Sequence, residues 1–274
     1  MKRSLAARVS LNTLCALAAA IWIVPYLWMV STSFKSLREI VRNPTAPLPE
    51  HWSAGAYREV FAALPVGRYL AVSTAVALSI ALLQIALALP AGYALAKLRF
   101  AGRKTAFGLT LACLLVPAQV TFVPVFVMFA RVGWVNSFGS LVVPFAASAL
   151  GTFLVRQALL SVPDEYIEAA RMDGASEFTI VYRILGPIVT PTLASLFLIS
   201  FVFHWNDYFW PLVMTTDDTV RTLPLGIALL REQGTGVRWH IVMAGNVVLS
   251  LPPLVLFAFA QRQLLRAVGR TSGA

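Results

Sequence analysis

The chain has 274 residues, 58% of them hydrophobic and only 12% charged, about half the charged fraction of an ordinary soluble domain. A mean hydropathy of +0.75 leaves too little polar surface to clothe a soluble domain, so the apolar residues face lipid and a separate soluble catalytic domain is excluded. The net charge of +10 is in that setting first a topology signal, which removes nucleic acid as a partner.

The expected fold class is all-α: a polytopic membrane protein with six kinked transmembrane helices and a cytoplasmic coupling helix. A single transmembrane domain over residues 1–274 would place its spans at approximately 11–33, 69–96, 105–130, 132–155, 184–210 and 241–260, each able to cross about 30 Å of hydrocarbon. The first follows a basic segment and contains Ala16-Leu17-Ala18, a pattern seen at signal-cleavage sites. Apolar residues continue unbroken to Val30, so retention as a span is expected. The loop Phe34–Arg68 then carries the stiff run Asn43-Pro44-Thr45-Ala46-Pro47-Leu48-Pro49. Its later part, Ser53–Leu64, suits either a short helix on the membrane surface or a solvated connector. Spans two to four follow as Tyr69–Ala96, Thr105–Ala130 and Val132–Val155. Pro25, Pro90, Pro117, Pro124 and Pro144 predict kinks in the first four spans. Cys15 and Cys113 lie within apolar stretches and offer neither a disulfide between hydrophilic loops nor a metal-ligand spacing.

The loop at 156–183 holds five of the twelve acids, Asp164, Glu165, Glu168, Asp173 and Glu177. Ser161 three residues ahead of Asp164, with Pro163 between them, predicts a helix start. Gly174 predicts its stop, in a left-handed conformation. The helix between is about ten residues, or ~15 Å, long, with Ala169 and Ala170 offering a surface for close approach by another protein. Ser176 is expected to cap a second helix leading towards Pro187. Such a rigid helix–turn–helix is either a mechanical linkage or a passive connector, and its own residues do not decide between them.

The fifth uncharged stretch is Ile184–Asn206, with an aromatic end reaching Trp210. His204 and Asp207 share a face, and Asp207 falls ~35 Å along the helix from Ile184, at the outer interface. Trp205, Asn206 and Asp207 read either as an interfacial anchor belt or as a group that meets sugar hydroxyls. Gln84, Gln119 and Asn246 are further polar side chains able to line a path or to hold helices together. The last span is Ile241–Ala260, after the outer loop Val213–His240. With six spans, one set of alternate loops and termini carries 13 basic residues and the other 9, and the short loop Leu98–Lys104 has three and no acid. Both termini are therefore expected in the cytoplasm.

Glu168-Ala169-Ala170, then Gly174 after three intervening residues, then Ile184 ahead of Pro187, resembles the EAA loop of permease subunits in binding-protein-dependent ABC importers. Pro25-Tyr26-Leu27-Trp28-Met29-Val30-Ser31-Thr32-Ser33-Phe34-Lys35, Trp205-Asn206-Asp207-Tyr208-Phe209-Trp210-Pro211-Leu212 and Met243-Ala244-Gly245 extend the likeness over nearly the whole chain. Together they resemble the carbohydrate-uptake branch, and within it the second six-helix permease of maltose-type importers. The resemblance implies a non-enzymatic subunit whose Glu168, Ala169, Ala170, Arg171, Asp173 and Gly174 couple it to an ATPase. It implies two ATPase subunits at the coupling helix, which would bind ATP and Mg, and no cofactor on this chain. A homologous second permease, an extracytoplasmic solute-binding protein at the outer loops and the lipid bilayer complete the implied partners, in a bacterial or archaeal cytoplasmic membrane. Gly186 stands where the family usually has Leu, and either loosens the joint to helix five or admits close packing.

The implied solute is a carbohydrate. A glycerol-phosphate or glycerophosphodiester importer is the alternative, although an anionic solute favours cations in the path and the uncharged stretches hold none. Trp205, Asn206, Asp207, Asn246 and Gln119 are the candidate solute contacts. An ion-coupled carrier would need an intramembrane relay of charges, and an intramembrane transferase would need clustered acids or histidines; the sequence displays neither. It has no Gly-Lys dipeptide and therefore no phosphate-binding loop of its own.

Overall fold

The computed structural model describes residues 5–230 and 238–271, with side chains described at 12–117, 120–230 and 238–259. Among the described residues every regular element is helical. Contacts divide the chain into two units, Met1–Gly67 with Gly226–Leu251 and Arg68–Leu225 with Pro252–Ala274.

In the first unit, helix Leu5–Ser33 runs through Pro25 and turns Ile21, Trp22 and Val24 outward. Its end is buried and polar. Ser31 Oγ donates to the Pro47 carbonyl at 2.6 Å, the Ser33 and Tyr57 hydroxyls share a bond of 2.7 Å, and the buried Lys35 ammonium donates to the Ala46 carbonyl. The Phe34 ring sits 5.4 Å from Trp52 and 5.2 Å from Tyr57. The Ser-Thr-Ser-Phe-Lys segment thus folds the following loop back on itself through Ser31, Ser33 and Lys35, while the buried Thr32 hydroxyl makes no hydrogen bond. The segment 53–64 does form a helix, Gly55–Ala63, anchored by buried Ala56 and Val60. A further helix, Leu37–Arg42, is capped by Ser36. Helix Trp239–Thr271 passes through Pro252 and Pro253, and a methyl group on its Gly245 would lie 3.1 Å from Ile227 Cγ2, so Met243-Ala244-Gly245 marks close packing.

In the second unit, Val66–Lys97 is continuous despite Pro90. The stretch 105–130, expected as one kinked span, is two helices, Arg103–Leu115 and Ala118–Arg131, bent by 98° at Val116-Pro117. Hydropathy could not show this, because Val116 and Pro117 are as uncharged as their neighbours. Pro144 opens a second break, 42°, between Phe138–Phe145 and Ala149–Leu160. The fifth span starts as a π-helical turn, Ile180–Leu185, and bends by 84° into Thr190–Trp205. Among the described residues Asn12–Ser33, Val66–Lys97 and Trp239–Phe259 are long and apolar enough to cross a membrane singly, and three bent pairs bring the total to six when each is counted as one span. One hydrophobic core gathers near the start of Val66–Lys97 around Val76, Ile80, Leu141 and Trp210. A second gathers near its end around Leu89, Tyr93, Val155, Leu159 and Ile167.

Candidate functional site

The acid-rich loop forms two short helices around a tight turn. The first, Glu165–Met172, begins after Asp164. Ser161, expected to start it, instead closes the preceding helix Ala149–Leu160, its N–H bonding the Ala158 and Leu159 carbonyls. Asp164 occupies the cap position but makes no side-chain cap, because Lys97 Nζ holds its carboxylate at 2.5 Å. Gly174 adopts φ 75°, the left-handed stop that the sequence predicts. Ser176 caps the second helix through the Thr179 N–H. Gly186 is buried, yet a methyl group there would sit 3.4 Å from Leu89 Cδ2, so close packing does not by itself demand glycine.

The helix Glu165–Met172 has two faces. Ile167 and Ala170 are buried in the core beside Tyr93 and Val162. Ala170 therefore faces inward and lets this helix approach Val66–Lys97, and of the expected alanine pair only Ala169 is left exposed. Glu165, Glu168 and Asp173 are also exposed, and among the described residues none of the three is in an ion pair. Arg171 turns back onto its own chain. Its Nε and Nη2 donate to Glu177 Oε1 at 3.1 and 2.8 Å, and Nη2 also reaches the Tyr93 hydroxyl at 3.0 Å. Tyr93 in turn donates to Glu177 Oε2 at 2.6 Å. At the other end Lys97 also donates to the Val162 carbonyl at 2.6 Å. The Lys97 bond and charge hold the Asp164 carboxyl below its ordinary range, and the Tyr93 bond, followed by Arg171, does so for Glu177. A cleft of about 360 Å³ lined by Lys97, Arg99, Asp164, Ile167, Glu168 and Arg171 opens beside the helix.

Tyr93, Lys97 and Glu177 escaped the motif-based reading. Tyr93 and Lys97 are four apart and share one face at the end of an apolar helix, but that spacing does not name their partners.

The proposed solute contacts are dispersed in role. Trp205 is 1% exposed and stacks on Phe201 at 5.6 Å. Asn206 is exposed, with Nδ2 donating back to the Val202 carbonyl at 2.8 Å. Asp207 accepts from the Trp210 N–H at 3.3 Å and so starts the short helix Phe209–Met214, while Trp210 Nε1 donates to the Ser140 carbonyl at 2.9 Å. Asn246 is half-buried on the last helix, and the side chain of Gln119 lies outside the described residues. Gln84 bonds the Phe145 carbonyl at 2.9 Å and His204 at 3.4 Å, tying helices together. In the loop around 215–222, Asp218 joins Arg221 and the Tyr69 hydroxyl, and Asn136 Oδ1 accepts from the Thr216 N–H. These bonds order the loop.

Known proteins resemble the chain over most of its length. The family of binding-protein-dependent transport system inner membrane components matches residues 88–270. The chain belongs to this family. The permease is 32% identical over 238 residues, 84% of its length and 85% of the relative's, to the sn-glycerol-3-phosphate transport system permease protein UgpE of Pectobacterium atrosepticum. Its likeness to the UgpE protein of Agrobacterium fabrum is 30% over 275 residues, 97% of each chain. Among solved structures, a chain of a bacterial ABC transporter involved in the import of the acidic polysaccharide alginate superposes with TM-score 0.81 at 21% identity, over 96% of the permease and 99% of that chain. A chain of the MetNI methionine ABC transporter gives 0.54 at 19% identity, over 74% and 95%. The permease is thus a polytopic subunit of an ABC importer, and its all-α fold is that of ABC transporter permeases.

Proposed function

We propose that the permease forms half of the translocation pathway for a carbohydrate, beside a homologous second permease, with both termini in the cytoplasm. Glu165–Met172 seats on one of two ATPase subunits, which bind ATP and Mg and perform the hydrolysis. An extracytoplasmic binding protein delivers solute at the outer loops. The observation that carries the coupling assignment is the two-faced helix. Ile167 and Ala170 fix it in the core while Glu165, Glu168, Ala169 and Asp173 face outward, a rigid acidic surface for basic partner groups. Arg171 and Gly174 shape that surface from behind. Asn206, which is exposed, and Asn246 are the better-placed solute contacts, since Trp205 is packed in the core and Asp207 is half-buried with a bond to the Trp210 N–H.

A second reading, sn-glycerol-3-phosphate, is favoured by the names of the curated relatives. The absence of Lys and Arg from the uncharged stretches favours the neutral solute. A thermal-shift screen of the partner binding protein against neutral sugars and glycerol-3-phosphate separates them. A neutral sugar is expected to raise the unfolding midpoint by several degrees, and a response to glycerol-3-phosphate alone replaces the first reading with the second.

A further inference from the structure

The coupling helix is continuous in the chain with Ala149–Leu160 and, through a π-helical turn and an 84° bend, with Thr190–Trp205. Apart from the Arg171–Glu177 pair, which ties it to the short helix that follows, its side-chain fastenings lead elsewhere. Lys97 bonds Val162 and Asp164 before the helix, Tyr93 bonds Arg171 and Glu177 across the Gly174 turn, and Tyr182, in the π-helical turn itself, donates to the Ala86 carbonyl at 2.8 Å. All three anchors, Ala86, Tyr93 and Lys97, lie on the one helix Val66–Lys97. Beneath them Ile167 and Ala170 share a core with Ala88, Leu89 and Ala96 of that helix, a core that also takes in Leu159, Ile180 and Leu185 on either side in the chain.

From this geometry we infer that Val66–Lys97, rather than the span that follows in the chain, receives the displacement of the coupling helix, and that Tyr93 and Lys97 are the positioning residues that transmit it. A π-turn followed by a sharp bend is a joint at which a push is absorbed. Paired charges and hydrogen bonds at both ends of a short helix fix its position and its direction on a neighbour. Lys97 sits at the last turn of its own helix, where the backbone carbonyls favour a cation, and its side chain is only 10% exposed. The Tyr93 hydroxyl both donates and accepts, so it locks the Arg171 and Glu177 pair to the span. When the ATPases close, the lower half of Val66–Lys97 moves with the helix they hold.

This inference rests on the coupling reading above, and the test separates the two. The complete transporter is reconstituted in vesicles, and solute taken up per ATP hydrolysed is measured for wild type, Tyr93→Phe/Lys97→Met, Lys97→Arg and Glu168→Lys. Tyr93→Phe/Lys97→Met is expected to assemble and hydrolyse ATP at close to the wild-type rate while solute per ATP falls at least about fivefold, the lower end of ordinary coupling energies. Lys97→Arg, which keeps the cation, is expected to stay near wild type. A double variant with unchanged solute per ATP overturns the inference, and so does one in which uptake and hydrolysis fall together. If the double variant does not assemble, Tyr93→Phe alone is measured and judged by the same ratio. Uncoupling by Glu168→Lys with no effect of the Tyr93 and Lys97 changes removes this inference alone; no effect of Glu168→Lys removes the coupling reading itself.

Discussion

Gly92 lies where the helix Ala149–Leu160 crosses Val66–Lys97, and a methyl group on it would come within 2.7 Å of Val155 Cγ1 and 3.0 Å of the Arg156 backbone nitrogen. Backbone cannot yield as a side-chain tip does, so Gly92→Ala is expected to destabilise the folded permease by roughly 1–3 kcal/mol, the usual cost of overpacking. A lowered thermal midpoint in detergent, partly restored by adding Val155→Ala, checks this; an unchanged midpoint contradicts it. Gly174 is constrained differently. Space around it is open, but φ is 75°, so Gly174→Ala should cost about 1–2 kcal/mol through backbone strain alone and loosen the turn, read as faster amide exchange at 165–177. Gly174 was legible in the sequence because a helix stop is a local signal. Tyr93 and Lys97 were not, because their partners lie 65 to 84 positions away and no local pattern records a long-range bond.

The coupling helix shows what the sequence encodes of an element. Its existence, its stop and the Ser176 cap of its successor follow from neighbouring residues. Its start does not, since Lys97 takes the Asp164 carboxylate away from capping and leaves Ser161 to finish the previous helix. The two fastening carboxylates set its pH response. Asp164 and Glu177 have folded-state pKa values below their ordinary ones, so their contribution is complete above the ordinary carboxylate range, about 4, and is lost as pH falls through the lowered folded values. Amide exchange at 165–177, corrected for its intrinsic pH dependence, should therefore show constant protection from neutral pH down to that range and a loss below it. Loss of protection between pH 6 and 8, on the order of two units above those pKa values, would contradict the fastening. Span breaks were the least legible elements, because Pro117 and Pro144 predict kinks while the sequence carries no measure of a 98° or 42° angle.

For the whole molecule, composition led to a membrane protein and the motif resemblance to a permease, and the family match and the fold agree. Apolar faces left outward on the first span are what a chain that works between lipid and partner subunits requires. In the function proposed above, hydrolysis falls to other chains and this one converts a push into a change of access, a rigid-body transition between two states. The measurement that bears most directly on this account is ATP-driven uptake by the reconstituted transporter carrying Glu168→Lys, with ATP hydrolysis followed in the same vesicles. Reversing that charge should cut solute-stimulated uptake about tenfold or more, a loss of ~1.4 kcal/mol at the contact, while the permease remains folded in the membrane; uptake and stimulated hydrolysis both at wild-type levels would contradict the claim that this helix couples the permease to its ATPase.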